Sequence, residues 1–282
     1  MAAKIISSKM RVGKINFINT IPFYSGLPLD PSCISVTEGS PTEINRAMEE
    51  GRLDFAPISS LAYAQSQADY LIFPDLCIGS RDFARSVLLL SHERIDGLDQ
   101  AKIILSEKSL SSQALLKALL RFKYGLNNSF ESSNESPEAM LAKGKAVLAI
   151  GDEALFFRPK RFLYKYDLSE LWWNWTDLPF CFALWAVRRN YYEAHQKEAH
   201  DFHRLLLENT ERNMVDIEKL LRDELKMTIS DERFTHCFGY LFNLNFYLDQ
   251  KMRKGLMHFY EYAARLGLSP EVKNLHFIEK QP

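Results

Sequence analysis

The sequence predicts an α/β protein built as two similar lobes around a cleft, with a helical cover toward the C-terminus. Three observations lead there. A short unit is written twice, at residues 43–59 (EINRAMEEGRLDFAPIS) and 138–152 (EAMLAKGKAVLAIGD). Aligned on Gly51 and Gly144, each copy reads as a helix with an apolar face, a glycine suited to the left-handed position that ends a helix, a basic residue and a buried-type strand. Apolar strand runs also alternate with capped helices through the first two thirds of the chain, and from Tyr191 onward the pattern turns to charged amphipathic helices. The strands of the repeat end at Ser59 and Asp152. Ligands of open α/β sheets bind outside the carboxyl ends of strands, so two such ends predict two lobes facing one ligand.

The elements follow in order. A first strand is expected over 12–18, then a loop NTIPFYSGL and a second strand at 34–36. Ser40-Pro41-Thr42-Glu43 marks a helix start, with Ser40 as N-cap, Pro41 at the first helical position and Glu43 closing a capping box. Strands at 53–58, 70–73 and 86–91 complete the first region, with a short helix from Ser59 or Ser60. The turn Asp96-Gly97 opens the second region. It contains a strand at 102–105, a Ser-capped amphipathic helix, a strand near Phe130, and the second copy of the repeat. The aromatic stretch LWWNWTDLPFCFALWAVRR returns as a strand over 180–187, and helices are expected at 191–212, 214–224, 231–248 and 251–266. The expected division is an N-terminal extension at 1–10, a first lobe from 11–95 and 182–282, and a second lobe from 96–181, with crossings near 91–98 and 177–186.

Composition excludes several classes. The chain has 282 residues, 46% apolar and 25% charged, with a net charge of −1 and no basic block, which disfavours a nucleic-acid or membrane partner. Cys33, Cys77, Cys181 and Cys237 are scattered without a CxxC pair and read as small buried hydrophobes. No stretch has the length of a membrane span, and residues 1–10 lack the apolar core of a secretory signal; the expected location is cytoplasmic.

Several constellations have the chemistry to hold a small polar ligand. Asn19 and Thr20 place an amide and a hydroxyl after the first strand, stiffened by Pro22; an Asn there either holds a substrate oxygen or bonds its own turn. Ser59 and Ser60 open one helix, and Ser109, Ser111 and Ser112 crowd the start of another. Hydroxyls with free N–H groups at helix starts suit an anion such as a carboxylate, although N-capping alone needs one serine. Arg81 and Arg85, just before Ser86, either clamp a carboxylate or are solvated loop charges. Asp152 is a polar clamp, a general base or a helix cap, and Trp172, Trp173 and Trp175 beside Thr176 and Pro179 either wall a cyclic ligand or pack a hinge. His200 and His203 share one helix face and read as solvated rather than as metal ligands; six of the seven histidines lie after residue 190. No GxGxxG or GxxxxGK[ST] is present, which disfavours a nucleotide cofactor.

The segment Lys14-Ile15-Asn16-Phe17-Ile18-Asn19-Thr20-Ile21-Pro22-Phe23 resembles the first-strand signature of the chorismate dehydratases of the futalosine route to menaquinone. The resemblance continues through Glu38-Gly39-Ser40-Pro41, 53–60 (LDFAPISS), Ser86-Val87-Leu88-Leu89, Ile150-Gly151-Asp152, Leu178-Pro179-Phe180 and Gly255-Leu256 with Phe259-Tyr260, in order after Met10. It implies a type II periplasmic-binding-protein-like fold and conversion of chorismate, a dicarboxylate, to 3-[(1-carboxyvinyl)oxy]benzoate with loss of water, without metal or organic cofactor. It places the catalytic amide at Asn19 and the catalytic hydroxyl at Ser86, with Ser59 and the 109–112 helix start holding substrate carboxylates. One departure is the bulky approach Arg81-Asp82-Phe83-Ala84-Arg85, where the family's approach to that serine is smaller and contains glycine. Two other readings share the fold: a non-catalytic solute- or effector-binding protein, disfavoured by the missing export signal and by the absence of a helix-turn-helix, and the sister enzyme dihydroxynaphthoate synthase, for which a different first loop and a cleft histidine are expected.

Overall fold

The structure, a computed structural model, describes residues 9–158, 164–228 and 231–279. Two sheets organise the described residues. The larger contains β1 (Met10–Ile15), β2 (Ile34–Gly39), β3 (Phe55–Ser59), β4 (Tyr70–Ser80), β10 (Phe180–Arg188) and β11 (Leu244–Tyr247), in the order β11-β4-β10-β3-β1-β2. β1 runs parallel to β2 and β3, while β10 lies antiparallel between β3 and β4. The smaller sheet contains β5 (Val87–Ser91), β6 (Lys102–Ser106), β7 (Ser129–Ser133), β8 (Ala146–Ile150) and β9 (Tyr164–Asp167), in the order β7-β6-β8-β5-β9. This is a two-lobed periplasmic-binding-protein-like architecture.

The pairing moves the expected lobe boundaries. The strand expected at 86–91 was to close the first lobe, but β5 pairs antiparallel with β8 and β9 in the smaller sheet. The first crossing therefore falls at residues 81–86, between β4 and β5, rather than near 91–98. The return precedes Phe180, which pairs with Ser80 in the larger sheet. An apolar five-residue run carries no mark of which sheet it will join; its partners decide. A four-residue strand, β11, also interrupts the expected 231–248 helix and covers an edge of β4. The strand expected over 180–187 forms as β10, and the tryptophans before it lie on a helix, α7 (Leu168–Thr176).

The repeat folds as a helix followed by a strand in both lobes: α2 (Pro41–Glu49) with β3, and α5 (Pro137–Leu141) with β8. The capping box at α2 forms, with Ser40 Oγ accepting from the Glu43 N–H at 3.3 Å and Glu43 accepting the Ser40 N–H at 2.8 Å. Gly51 takes the left-handed conformation, φ +72°, but Gly144 does not. Gly144 instead makes room for Ile104, whose Cδ1 would lie 3.0 Å from an added Cβ. The same residue in the two copies thus serves two different ends.

The first lobe buries an aromatic cluster in which Trp185 contacts Phe23, Phe73 and Phe202. The helical tail, α8 (Arg189–Ala194), α9 (Gln196–Val215), α10 (Ile217–Leu225), α11 (Glu232–Asn243) and α12 (Gln250–Arg265), packs mainly on that lobe. Two of these helices reach further. α11 presents residues to the cleft, and α12 sits over β10 and the two short segments α3 (Ser60–Gln65) and α4 (Leu110–Ala118), one from each lobe. Cys77, Cys181 and Cys237 are buried as expected, and Cys33 is exposed.

Candidate active site

A cleft that opens to solvent lies between the lobes. Ile15, Phe17, Ile78, Ile150, Phe182 and Leu244 give it apolar walls, and Asn19, Ser59, Ser86, Ser109, Ser112 and Tyr240 supply its polar groups. Among the described residues, its lining contains no histidine, cysteine or ionisable acid or amine. The lobes touch around it. The ring of Phe17 lies against Gly151, the Ile18 N–H donates to Asp152 Oδ1 at 3.4 Å, and Thr42 Oγ1 donates to the Glu107 carbonyl at 2.7 Å.

Each polar group is held by its own local structure. After β1 the chain makes a 3-10 turn, Ile18–Thr20, instead of the expected longer strand. The buried Thr20 hydroxyl donates within that turn, to the Ile15 carbonyl at 2.7 Å or the Phe17 carbonyl at 2.9 Å. Thr20 therefore shapes the turn and does not line the cleft; the turn presents Asn19, whose Oδ1 is buried with no protein partner among the described residues.

Ser86 is fixed through the crossing that precedes it. The N–H groups of Ala84 and Arg85 donate to the Asp167 carboxylate at 3.2 and 2.6 Å, and Ser169 N–H donates at 2.9 Å. Burial pushes the Asp167 pKa up to about 6, and those backbone donors hold it from rising further. Arg85 adopts φ +58°, and the Ser86 carbonyl accepts from Gly151 N–H at 2.8 Å. This leaves the Ser86 hydroxyl facing α11, where it donates to the Tyr240 phenol oxygen at 3.0 Å. Arg81 pairs with Asp249 at 3.5 Å, and neither Arg81 nor Arg85 lines the cleft.

The serine clusters divide. Ser59 caps α3 by accepting from Ala62 N–H at 3.1 Å, and Ser109 caps α4 by accepting from Ser112 N–H at 3.3 Å; Ser59, Ser109 and Ser112 line the cleft as well. Ser60 and Ser111 do not. Their hydroxyls lie 2.9 Å apart in the junction between the lobes; Ser60 Oγ also lies 2.7 Å from the Cys181 carbonyl, and Ser111 Oγ accepts from Leu61 N–H at 3.0 Å. Side chains committed to buried backbone partners are poor candidates for substrate binding, so these two are corrected to a structural place.

Thr176 and Pro179 are corrected likewise. Thr176 Oγ1 donates to the Trp172 carbonyl at 2.9 Å and accepts from Leu178 N–H at 3.2 Å, closing the end of α7. The Pro179 carbonyl accepts from the Trp172 indole at 3.3 Å. Trp172 is fully buried against Phe180, Trp175 and Tyr262, so the tryptophans pack the second lobe against α12 and do not wall a ligand. Asp152 sits one residue beyond the lining Gly151, at the start of α6 (Asp152–Leu155). Burial raises its pKa, while the Ile18 N–H and the charge of Arg233 oppose that rise.

Tyr240 is the site residue that reading the sequence missed. On α11 it falls in the buried stripe Phe234, Cys237, Tyr240 and Leu241, and nothing in that spacing separates a core tyrosine from one at a cleft. It is 1% exposed. Burial pushes the phenol pKa far above its usual value; a hydrogen bond from Ser86 opposes this, the charge of Asp152 adds to it, and a hydrogen bond with Asn19 opposes it in turn. Asn19, Ser86 and Tyr240 thus form one hydrogen-bonding group in a largely apolar pocket, able to orient and donate to an oxygen atom.

The menaquinone-biosynthesis family profile matches residues 10–265. A chorismate dehydratase of Thermus thermophilus is 30% identical over 194 residues, which is 63% of this chain and 69% of the relative. Among solved structures, protein AF1704 from Archaeoglobus fulgidus superimposes with a TM-score of 0.70 at 19% identity, covering 92% of this chain and 98% of that one. The periplasmic aliphatic sulphonate binding protein SsuA from Escherichia coli gives 0.66 at 14% identity, covering 98% and 95%. The expected cytoplasmic location is corrected: the fold is one shared with periplasmic solute-binding proteins. The chain belongs to the menaquinone-biosynthesis family of enzymes and is a homologue of chorismate dehydratase.

Proposed function

We propose that the protein dehydrates chorismate to 3-[(1-carboxyvinyl)oxy]benzoate. The observation that carries this is the Asn19–Ser86–Tyr240 group, set in a cleft whose two sides each bring capping serines. The substrate carries two carboxylates. Ser59 from one lobe and Ser109 and Ser112 from the other supply hydroxyls for them, at the starts of two helices.

Dehydration removes a ring proton and expels the ring hydroxyl, and the electron pair of the broken C–H bond completes the aromatic ring. The gain of aromaticity makes the elimination strongly downhill, so the protein's task is orientation rather than strong basicity. Asn19 and Ser86 position the departing hydroxyl and the ring. The proton passes to the substrate's own enolpyruvyl carboxylate, since the lining offers no competing base. The apolar walls exclude water and strengthen each polar contact.

The deciding experiment mixes purified protein with chorismate and follows ultraviolet absorbance and product mass. Loss of one water per turnover is expected. Binding of chorismate without any change in its mass would overturn the enzyme reading and leave a solute-binding protein.

A further inference from the structure

We propose that Tyr240 is the proton donor to the departing hydroxyl, a role resting on the dehydratase reading above. Hydroxide is a poor leaving group, and an aliphatic hydroxyl such as Ser86 is a much weaker acid than a phenol. Tyr240 supplies the one phenol among the described lining residues; the other O–H groups are serine hydroxyls. Its geometry suits donation. The phenol oxygen already accepts from Ser86 at 3.0 Å, so its own proton remains to be given. Among the described residues no hydrogen bond donated by the phenol is seen, and Asn19 Oδ1 is buried without a partner. Both residues line the cleft, so a substrate oxygen bound there would meet the phenol as donor and the amide carbonyl as acceptor.

The groups around the phenol keep it protonated until it is used. Asp152 faces it from the second lobe, Cys237 lies one turn earlier on α11, and Arg233 faces both of these. The neighbouring Gly239 brings α11 against the crossing: an added Cβ there would lie 2.7 Å from Arg85 Nη1. Ser86 and Tyr240 are thus held by two segments in direct contact.

The step balances without any further reactant. The ring C–H bond breaks and its proton passes to the enolpyruvyl carboxylate. The ring C–O bond breaks with its electron pair on oxygen, which takes the Tyr240 proton and leaves as water. The carboxylic acid then returns its proton to the phenolate, to which Ser86 donates meanwhile.

The test uses the full-length protein with chorismate. Wild-type turnover is measured first; if no water is lost, the dehydratase reading itself fails. Given wild-type activity, Tyr240→Phe is expected to lower kcat by about 100-fold or more, with KM and the thermal midpoint nearly unchanged. Retained kcat would overturn the donor role. Replacement of Tyr240 by a fluorinated tyrosine of lower phenol pKa separates donation from packing. It should bring an alkaline limb of kcat into the accessible pH range that the wild type lacks. If Tyr240→Phe is inactive or unfolded and the fluorinated protein keeps the wild-type pH profile, Tyr240 is structural and the proposal is wrong.

Discussion

Gly151 and Phe17 meet face to face across the cleft, one from each lobe, so closely that a methyl group on the glycine would lie 2.8 Å from Cζ of the ring. Gly151 also has φ +71° and ψ −150°, a region open essentially to glycine alone. The contact couples the end of β8 to the turn that presents Asn19. Gly151→Ala is therefore expected to cost about 1–3 kcal/mol of stability and to reduce activity further, by holding the lobes apart. Trimming the ring, as Phe17→Leu in the Gly151→Ala background, should restore part of the activity but little of the stability. Activity unaffected by Gly151→Ala would show that lobe contact at this point is not needed.

Asn19→Ala and Ser86→Ala each remove one member of the hydroxyl-orienting group. Each is expected to lower kcat for chorismate by about 10²–10³, with the thermal midpoint little changed. Near-normal turnover in either variant would remove that residue from the chemistry.

Ser109 offers a way to separate capping from binding. Aspartate caps a helix as well as serine does, so Ser109→Asp should leave stability within about 0.5 kcal/mol. The added carboxylate would face a dianionic substrate, raising KM on the order of tenfold. An unchanged KM would place the substrate carboxylates elsewhere.

Ser60 and Ser111 are expected to matter for stability rather than catalysis. Ser60→Ala and Ser111→Ala each leave buried backbone groups short of a partner and should cost about 1–3 kcal/mol. Because the two hydroxyls share one contact, the double variant should cost less than the sum. Urea unfolding of the four proteins measures this; strict additivity would mean the contact contributes nothing.

Asp167 predicts a pH dependence. Its pKa is raised in the folded protein to about 6 from an ordinary 3.8, so the folded state binds the proton more tightly than the unfolded chain. The associated stabilisation is complete below about pH 4 and is lost as pH rises through about 6, an effect on the order of 1–3 kcal/mol. Asp167→Asn cannot titrate and should flatten that part of the stability curve. Unfolding free energies of both proteins across this range decide the matter, and parallel curves would assign the titration to another group.

How much of this was legible differs by residue. The capping box at Ser40 and Glu43 involves groups three positions apart, so it could be read directly and forms as expected. The placing of Asn19 beyond the first strand was legible for the same reason, although the turn that holds it uses the Thr20 hydroxyl in a way no pattern specifies. Ser86 was singled out only through a family resemblance, and its strand was assigned to the wrong lobe. The carboxylate that steadies its crossing, Asp167, lies more than 80 positions away.

The sequence by itself determined the alternation of strands and helices, the repeated helix–strand unit, the caps, and the resemblance that names the family. Those follow from local spacing, which a single chain carries openly. Tertiary structure alone decided which sheet β5 joins, that Ser60 and Ser111 face the lobe junction while Ser59, Ser109 and Ser112 face the cleft, and that Tyr240 stands beside Ser86. The physical reason is common to all three. Neighbouring serines on one helix turn, or a tyrosine in a buried stripe, have the same local pattern whichever surface they meet, and the surface is supplied by residues far away in the chain.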